Sequence, residues 1–256
     1  MLPYIHIWKL DIPGYGLCMA LGIITATLLS YARIKRRGGD LDSLLIVGSV
    51  TMLCALTSAV FAYILFSYGL KRFLLEIISG NYSALENTGM VFYGGLIGGI
   101  LGAHIAIRLN KYDFHTFCDA IVPTIPLAHA FGRIGCTLAG CCYGKQYDGP
   151  FAVHSAFVGE NVSLFPIQAV EALINCLLFF VLMFYVKKHR EQKHNTLAVY
   201  LLLYSIERFV LEFFRGDTIR GTFGIFSSSQ WISIAIVAVL LIYGISVIYS
   251  DQKRKV

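Results

Sequence analysis

Two stretches of this chain gather residues capable of polar chemistry where everything around them is apolar. "FGRIGCTLAGCCYGK" (131–145) packs four glycines, one arginine and three cysteines into fifteen residues. "LAVYLLLYSIERFVLEFFRGD" (197–217) carries Glu207, Arg208, Glu212 and Arg215 through an oily run. Ionisable groups in such surroundings are costly and mark a function. Tyr204, Arg208, Glu212 and Arg215 follow one another by four, four and three residues, which places them within about an 80° arc of one helix face. Arg208 and Glu212 can pair at i,i+4, and a guanidinium held by a carboxylate stays charged at depth. Charges beyond that one pair point to an anionic guest or a wet cavity.

In the first stretch His129 stands one turn before Arg133, facing the same way. Gly132, Gly135 and Gly144 let backbone N–H groups come close to a ligand, beside the permanent charge of Arg133. That combination suits a phosphate. "GMVFYGGLIGGILG" (89–102) supplies Gly94, Gly95, Gly98, Gly99 and Gly102, read mainly as a face for close helix packing. Tyr93 and Tyr15 each have two readings, an interfacial belt or a polar tip facing the site. "LFPIQAVEALIN" (164–175) opens a helix at Pro166 and sets Gln168 and Glu171 three apart on one face. Those two either cap the helix or face a substrate.

The elements that must hold these groups are membrane helices. Of the 256 residues, 57% are hydrophobic and only 14% charged, with a mean hydropathy of +0.68, about half the charge of a soluble domain. Seven apolar runs have roughly the length a bilayer requires: 15–31, 44–68, 90–107, 118–134, 165–186, 197–214 and 231–249. The fourth contains Pro123 and Pro126, so a kinked or broken helix is expected there. The predicted fold class is all-α and polytopic, residues 1–256 forming a single seven-span domain with no repeat and no linker long enough to divide it. The first run lacks the charged start and small-residue cleavage site of a secretory signal and is expected to remain as an anchor.

The net charge of +6 is a topology signal rather than a nucleic-acid patch. Thirteen of the 21 basic residues follow runs one, three, five and seven. Under the positive-inside rule this puts the N-terminus outside and the C-terminus in the cytoplasm. Among seven cysteines, Cys18, Cys54, Cys118 and Cys176 sit in apolar runs as small core residues. Cys136, Cys141 and Cys142 share the glycine-rich stretch near the outer surface, a compartment that permits disulfides. With His129 they have the ligand types of a zinc or redox site. The spacing C-x4-C-C is nevertheless not a usual metal pattern, because adjacent cysteines rarely both bind one ion. No metal and no cofactor are therefore expected.

These pieces resemble, in order and over essentially the whole chain, bacterial prolipoprotein diacylglyceryl transferases. "GYGLCMALG" (14–22) is similar to the family's first-span Tyr-Gly-Leu segment, and "VFYGGLIGG" (91–99) to its His-Gly-Gly-Leu-Ile-Gly motif. "FGRIGCTLAGCCYGK" resembles the signature Gly-Arg-Ile/Leu-Gly-Asn-Phe-x-Asn-Gly-Glu-x-Tyr/Trp-Gly. "FPIQAVEAL" (165–173) is similar to His-Pro-Thr/Ser-Gln-Leu-Tyr-Glu, and "YSIERFVLEFFRGD" (204–217) to Tyr-x3-Arg-x3-Glu-x2-Arg. The chain departs from these patterns at Tyr93 and Phe165, where the family has histidine, at Cys136 and Ala139, where it has asparagine, and at Cys141, where it has glutamate.

The resemblance implies transfer of the diacylglyceryl group of phosphatidylglycerol to the lipobox cysteine thiol of a prolipoprotein signal peptide. It further implies a multi-pass protein of the bacterial cytoplasmic membrane, surrounded by membrane lipids, with its site towards the extracytoplasmic leaflet. Arg133 would then grip the phosphate and Arg208 the lipid or leaving group. Glu212 would orient Arg208, while Tyr15, Gln168, Glu171, Tyr204 and Arg215 complete the site with Gly94, Gly95, Gly132, Gly135 and Gly144. With tyrosine at position 93, either His129 takes over proton abstraction, or Tyr93 positions the thiol and the arginines lower its pKa. Two other readings stay open on the same residues: a phospholipid-dependent transferase with a different acceptor, and a non-enzymatic binder or transporter of an anionic lipid or metabolite.

Overall fold

The computed structural model describes residues 4–7, 10–79, 92–155, 158–189, 195–216 and 222–254. Helix dominates them, and the six short strands pair only as two-stranded antiparallel ribbons. Among the described residues four helices are long and apolar enough to cross a membrane: α1 (Gly14–Lys35), α2 (Leu41–Tyr63, whose apolar run continues to Phe66), α7 (Ile167–Lys188) and α9 (Ser228–Arg254, over Ser228–Ser246). Two more of the seven predicted runs fall short by simple length. Helices α6 (Thr124–Ala139) and α8 (Thr196–Leu211) have 16 residues each, about 24 Å against a hydrocarbon core of about 30 Å. The remaining run carries α4 (Phe92–Leu109), whose apolar part is Gly94–Leu109.

The fourth run is broken, as its prolines require. It divides into α5 (Phe114–Ile121) and α6, and Pro123 stands at the entrance to α6. Pro126 lies in the first turn of α6, where a missing N–H costs nothing. Thr124 secures the break by donating to the Ile121 carbonyl at 2.8 Å and by sharing a 2.9 Å hydrogen bond with Ser30.

The chain forms two compact units, Tyr31–Phe117 and Met1–Ser30 with Cys118–Val256. In the first, α2 and α4 pack through the glycines of α4. A Cβ at Gly94 would fall 2.6 Å from the Ser58 carbonyl oxygen, one at Gly102 2.6 Å from Cys54 Cβ, and one at Gly98 would strike Ser58. The expected packing face is therefore real, and its seat is α2. Asp40 caps α2, its carboxylate accepting from the Ser43 N–H at 2.8 Å. That bond holds the Asp40 carboxyl below the usual carboxylate range. The unit also holds the nine-residue helix α3 (Leu70–Ile78).

In the second unit α6 lies along α7, α7 touches α8, and α8 packs on α9. Val122, Leu182 and Tyr200 form its buried core. Asp119, an ionisable group inside an apolar run, is buried and accepts from the Thr196 hydroxyl at the start of α8. It is thus accounted for as an anchor between helices. Helix α1 approaches α6 at glycines: a Cβ on Gly22 would sit 2.8 Å from Phe131 Cβ, and one on Gly135 3.1 Å from the Tyr15 ring.

Candidate active site

The site is assembled around the first two turns of α7. Pro166 fixes the entry to this helix, and Gln168, Glu171 and Asn175 follow on its buried side. Glu171 is 2% exposed. A carboxylate can be taken that far from water only if cations come with it, and three do. Arg133 of α6 brings Nε to 2.8 Å from Glu171 Oε2. Arg208 of α8 brings Nη1 to 3.0 Å from Oε1, and Arg215, beyond the end of α8, brings Nη1 to 3.4 Å from the same oxygen. Arg208 also meets Glu212 Oε2 at 2.6 Å through Nη2 and donates to Ser229 Oγ of α9 at 3.3 Å. Three guanidiniums and two carboxylates therefore lie within ion-pair distance. A third carboxylate, Glu207, lies within electrostatic reach of Glu171, Arg133 and Arg208 and accepts from Asn175 Nδ2 at 2.7 Å.

Arg133 differs from the other two in how it is held. Its Nε is shared between Glu171 and His129 Nε2, which accepts from it at 3.1 Å. Among the described residues no protein partner meets its two terminal nitrogens. Its side chain is also the most open of the three, at 13% against 10% for Arg208 and 3% for Arg215. The end of the guanidinium fork is thus presented while its base is tied down, an arrangement that fits bidentate capture of a phosphate.

Three backbone segments knit over the cluster. Lys145 N–H donates to the Phe214 carbonyl at 2.9 Å, Gly216 N–H to Tyr143 at 3.1 Å, and Phe165 N–H to Lys145 at 2.9 Å. Gly144 bridges to Arg215. A Cβ on Gly144 would lie 2.9 Å from Phe165 Cβ, so glycine is what allows this crossing, and the crossing fixes Arg215. Beneath it Gln168 Nε2 donates to the Cys141 carbonyl at 2.8 Å. Cys136, Cys141 and Cys142 are not joined in disulfides. A hydrogen bond with the Cys136 thiol, aided by the charges of Arg215 and Arg133, holds the Cys142 thiol below the ordinary thiol range against the opposing effect of burial.

Residues 3–246 match the family described as prolipoprotein diacylglyceryl transferase. The chain belongs to that family. It is 34% identical over 255 residues to the phosphatidylglycerol–prolipoprotein diacylglyceryl transferase of Clostridium tetani, covering 98% of this chain and 97% of the relative. It is 35% identical over 245 residues to the protein named as the second such transferase of Clostridium perfringens, covering 94% and 93%. It is 30% identical over 257 residues to the one of Dehalococcoides mccartyi, covering 97% and 93%.

Of the residues expected to form the family's site, Arg133, Arg208, Arg215, Glu171 and Glu212 meet in one ionic cluster, with His129 against Arg133. The Tyr204 ring lies tilted against that of His129, centroids 5.7 Å apart. Gln168 supports the cysteine loop. Gly132 and Gly135 are interior to α6 and face α1, so their observed use is helix packing; Tyr15 meets α6 at Gly135. Gly94 and Gly95 pack against α2 in the other unit, and the Tyr93 side chain lies outside the described residues. Phe165, where the family pattern has histidine, stacks on Phe214 at 5.4 Å and meets the Tyr147 ring edge-on at 5.4 Å.

Sequence reasoning missed Ser229 and Asn175. Asn175 is one turn beyond Glu171 and could have been found by continuing the polar face of α7. Ser229 belongs to the polar run "SSSQ" before the last apolar stretch, which no spacing ties to Arg208. The central role of Glu171 was also not apparent, since one carboxylate serving three arginines from different elements leaves no pattern in any one of them.

Proposed function

We propose that this protein transfers the diacylglyceryl group of phosphatidylglycerol to the lipobox cysteine of a prolipoprotein signal peptide, releasing glycerol phosphate. The reading rests on one observation above the others: Arg133 and Arg208, from separate helices, converge on the two oxygens of Glu171 while no described residue meets the terminal nitrogens of Arg133. The names of the relatives supply the substrates. The chain acts as one seven-span domain of the bacterial cytoplasmic membrane, its N-terminus outside and its site towards the extracytoplasmic leaflet, with the short helices α6 and α8 carrying Arg133 and Arg208 to the site.

In the reaction the acceptor thiolate attacks the diacylglycerol carbon that carries the phosphate. A carbon–sulfur bond forms, the carbon–oxygen bond breaks, and the electron pair leaves on glycerol phosphate. Negative charge grows on the departing phosphate, where Arg133 supplies preorganised donors. The guanidiniums of the cluster also favour ionisation of the incoming thiol, whose proton passes to water. His129 is assigned to positioning: its Nε2 already accepts from Arg133, so the nitrogen expected to take a proton is engaged in aiming the guanidinium.

The test is incubation of purified protein in phosphatidylglycerol vesicles with a lipobox peptide. The expected result is glycerol phosphate in solution and one diacylglyceryl mass on the peptide cysteine, both lost in Arg133→Lys. Binding of the lipid without either product would replace the enzyme with an anion-binding protein. Transfer to some other acceptor would keep the chemistry and change the partner.

A further inference from the structure

Cys136, Cys141 and Cys142 stand together where α6 ends, and their Sγ atoms all lie within 4.8 Å of one another. Adjacent cysteines ordinarily point apart, which is why the sequence argues against a shared ion. The backbone removes that objection. Gly140 closes α6 in the left-handed region at φ 75°, and Cys142 enters the same region at φ 58°. A non-glycine residue there is uncommon and strained. The turn is imposed from several sides: Ser155 Oγ donates to the Gly140 carbonyl at 2.7 Å, Gln168 Nε2 to the Cys141 carbonyl at 2.8 Å, and Gly216 N–H to the Tyr143 carbonyl at 3.1 Å. Strain maintained by so many bonds gathers three thiols on one point.

We propose that Cys136, Cys141 and Cys142 form a trigonal binding site for one thiophilic monovalent cation, of the class of Cu(I). Metal–sulfur bonds of about 2.3 Å place the sulfurs of a trigonal set about 4 Å apart, so the trio needs only a small closure to bind. Its three sulfurs suit Cu(I), whereas a closed zinc site takes four ligands. Arg133 and Arg215, both acting on Cys142, offset the negative charge that three thiolates and one monovalent cation leave. Binding is a ligand exchange without electron transfer: acetonitrile leaves the metal, each sulfur still carrying a proton releases it to water, and three sulfur–metal bonds form. The site stands independently of the transferase reading, since it is tested by binding alone.

The experiment uses the full chain, purified reduced and without air. Cu(I) is added as its acetonitrile complex, and the native protein is then alkylated briefly and its peptides weighed. One equivalent of Cu(I) is expected to raise thiolate-to-copper absorption to saturation and to lower labelling of Cys141 and Cys142 at least about tenfold, leaving Cys118 and Cys176 unchanged. Cys142→Ser should weaken binding at least about tenfold, and Cys54→Ser, in the other unit, should not. Because the protection is read on the wild-type chain, misfolding of a variant cannot mask the answer. No saturation at one equivalent, protection spread over all the cysteines, equal protection by Zn(II), or a disulfide persisting within the trio under reducing conditions would each overturn the proposal.

Discussion

Replacing Glu171 with glutamine tests the centre of the structure. The substitution keeps the shape of the side chain and removes one charge that three arginines share at 2.8, 3.0 and 3.4 Å. Unit charges about 4 Å apart attract by about 4 kcal/mol at an effective dielectric of 20. Three such terms far exceed the net worth of the cluster, because desolvating four charges opposes them. The measured cost of removing one partner from a buried pair, about 3–5 kcal/mol, is the better guide. With its anchor gone Arg133 is misplaced, and displacement of a positioned group by about 1 Å costs about a hundredfold, so Glu171→Gln should lower kcat/KM for phosphatidylglycerol by about that factor. The thermal midpoint, followed by tryptophan fluorescence in detergent, should fall by at least about 6 °C. Glu212→Gln provides the internal comparison. It takes a carboxylate from Arg208 alone, and Arg208 keeps Glu171 and Ser229, so its cost should be nearer that of one hydrogen bond to a charged group, about 1.5–3 kcal/mol. Equal losses in the two variants, or an effect of Glu171→Gln below about 1 kcal/mol, would mean that Glu171 is not the hub and would refute the reasoning.

Three further outcomes follow from particular contacts. His129→Gln retains an acceptor for Arg133 Nε and should keep activity within about tenfold of wild type with an unchanged pH profile, whereas His129→Leu loses a charge-assisted bond worth about 1.5–3 kcal/mol and should fall further; abolition of turnover by glutamine would restore histidine as the base. Gly98→Val drives a side chain into Ser58 at the α2–α4 contact and should lower the thermal midpoint, while the same change at Gly48, which has open space around it, should not. Asp40 is held below its ordinary pKa by the Ser43 N–H, so its contribution is present above the unfolded value of about 3.9 and is lost as pH falls through the folded one. Hydrogen exchange at the Ser43 amide should therefore speed up below that range relative to neighbouring amides in the wild type, and Asp40→Asn, which caps without titrating, should abolish the acid dependence.

What the sequence reveals about this molecule, and what it withholds, follows from the range of each interaction. The break at Pro123, the i,i+4 pair of Arg208 with Glu212 and the glycine face of α4 are local, so spacing alone predicts them. Span length is local too, yet hydropathy overstates it: the apolar run 197–214 includes the turn Glu212–Phe214, where the chain leaves the α-helix and swings Arg215 back towards Glu171. The hub escapes notice because its partners lie 38, 37 and 44 positions away on different elements, and a lone glutamate near a helix start looks like a cap. The cysteines are the sharper case. In sequence their adjacency argues against joint use, but adjacency constrains direction only in regular backbone. Once Gly140 and Cys142 turn left-handed, neighbouring side chains converge, and the fact that excluded a shared site becomes the reason three sulfurs can share one. The bonds that enforce the turn come from Ser155, Gln168 and Gly216, in three segments that the same crossing at Gly144 and Phe165 draws together. The loop that fixes Arg215 beside Glu171 therefore also fixes the thiols, so a substitution at Gly144 should disturb both.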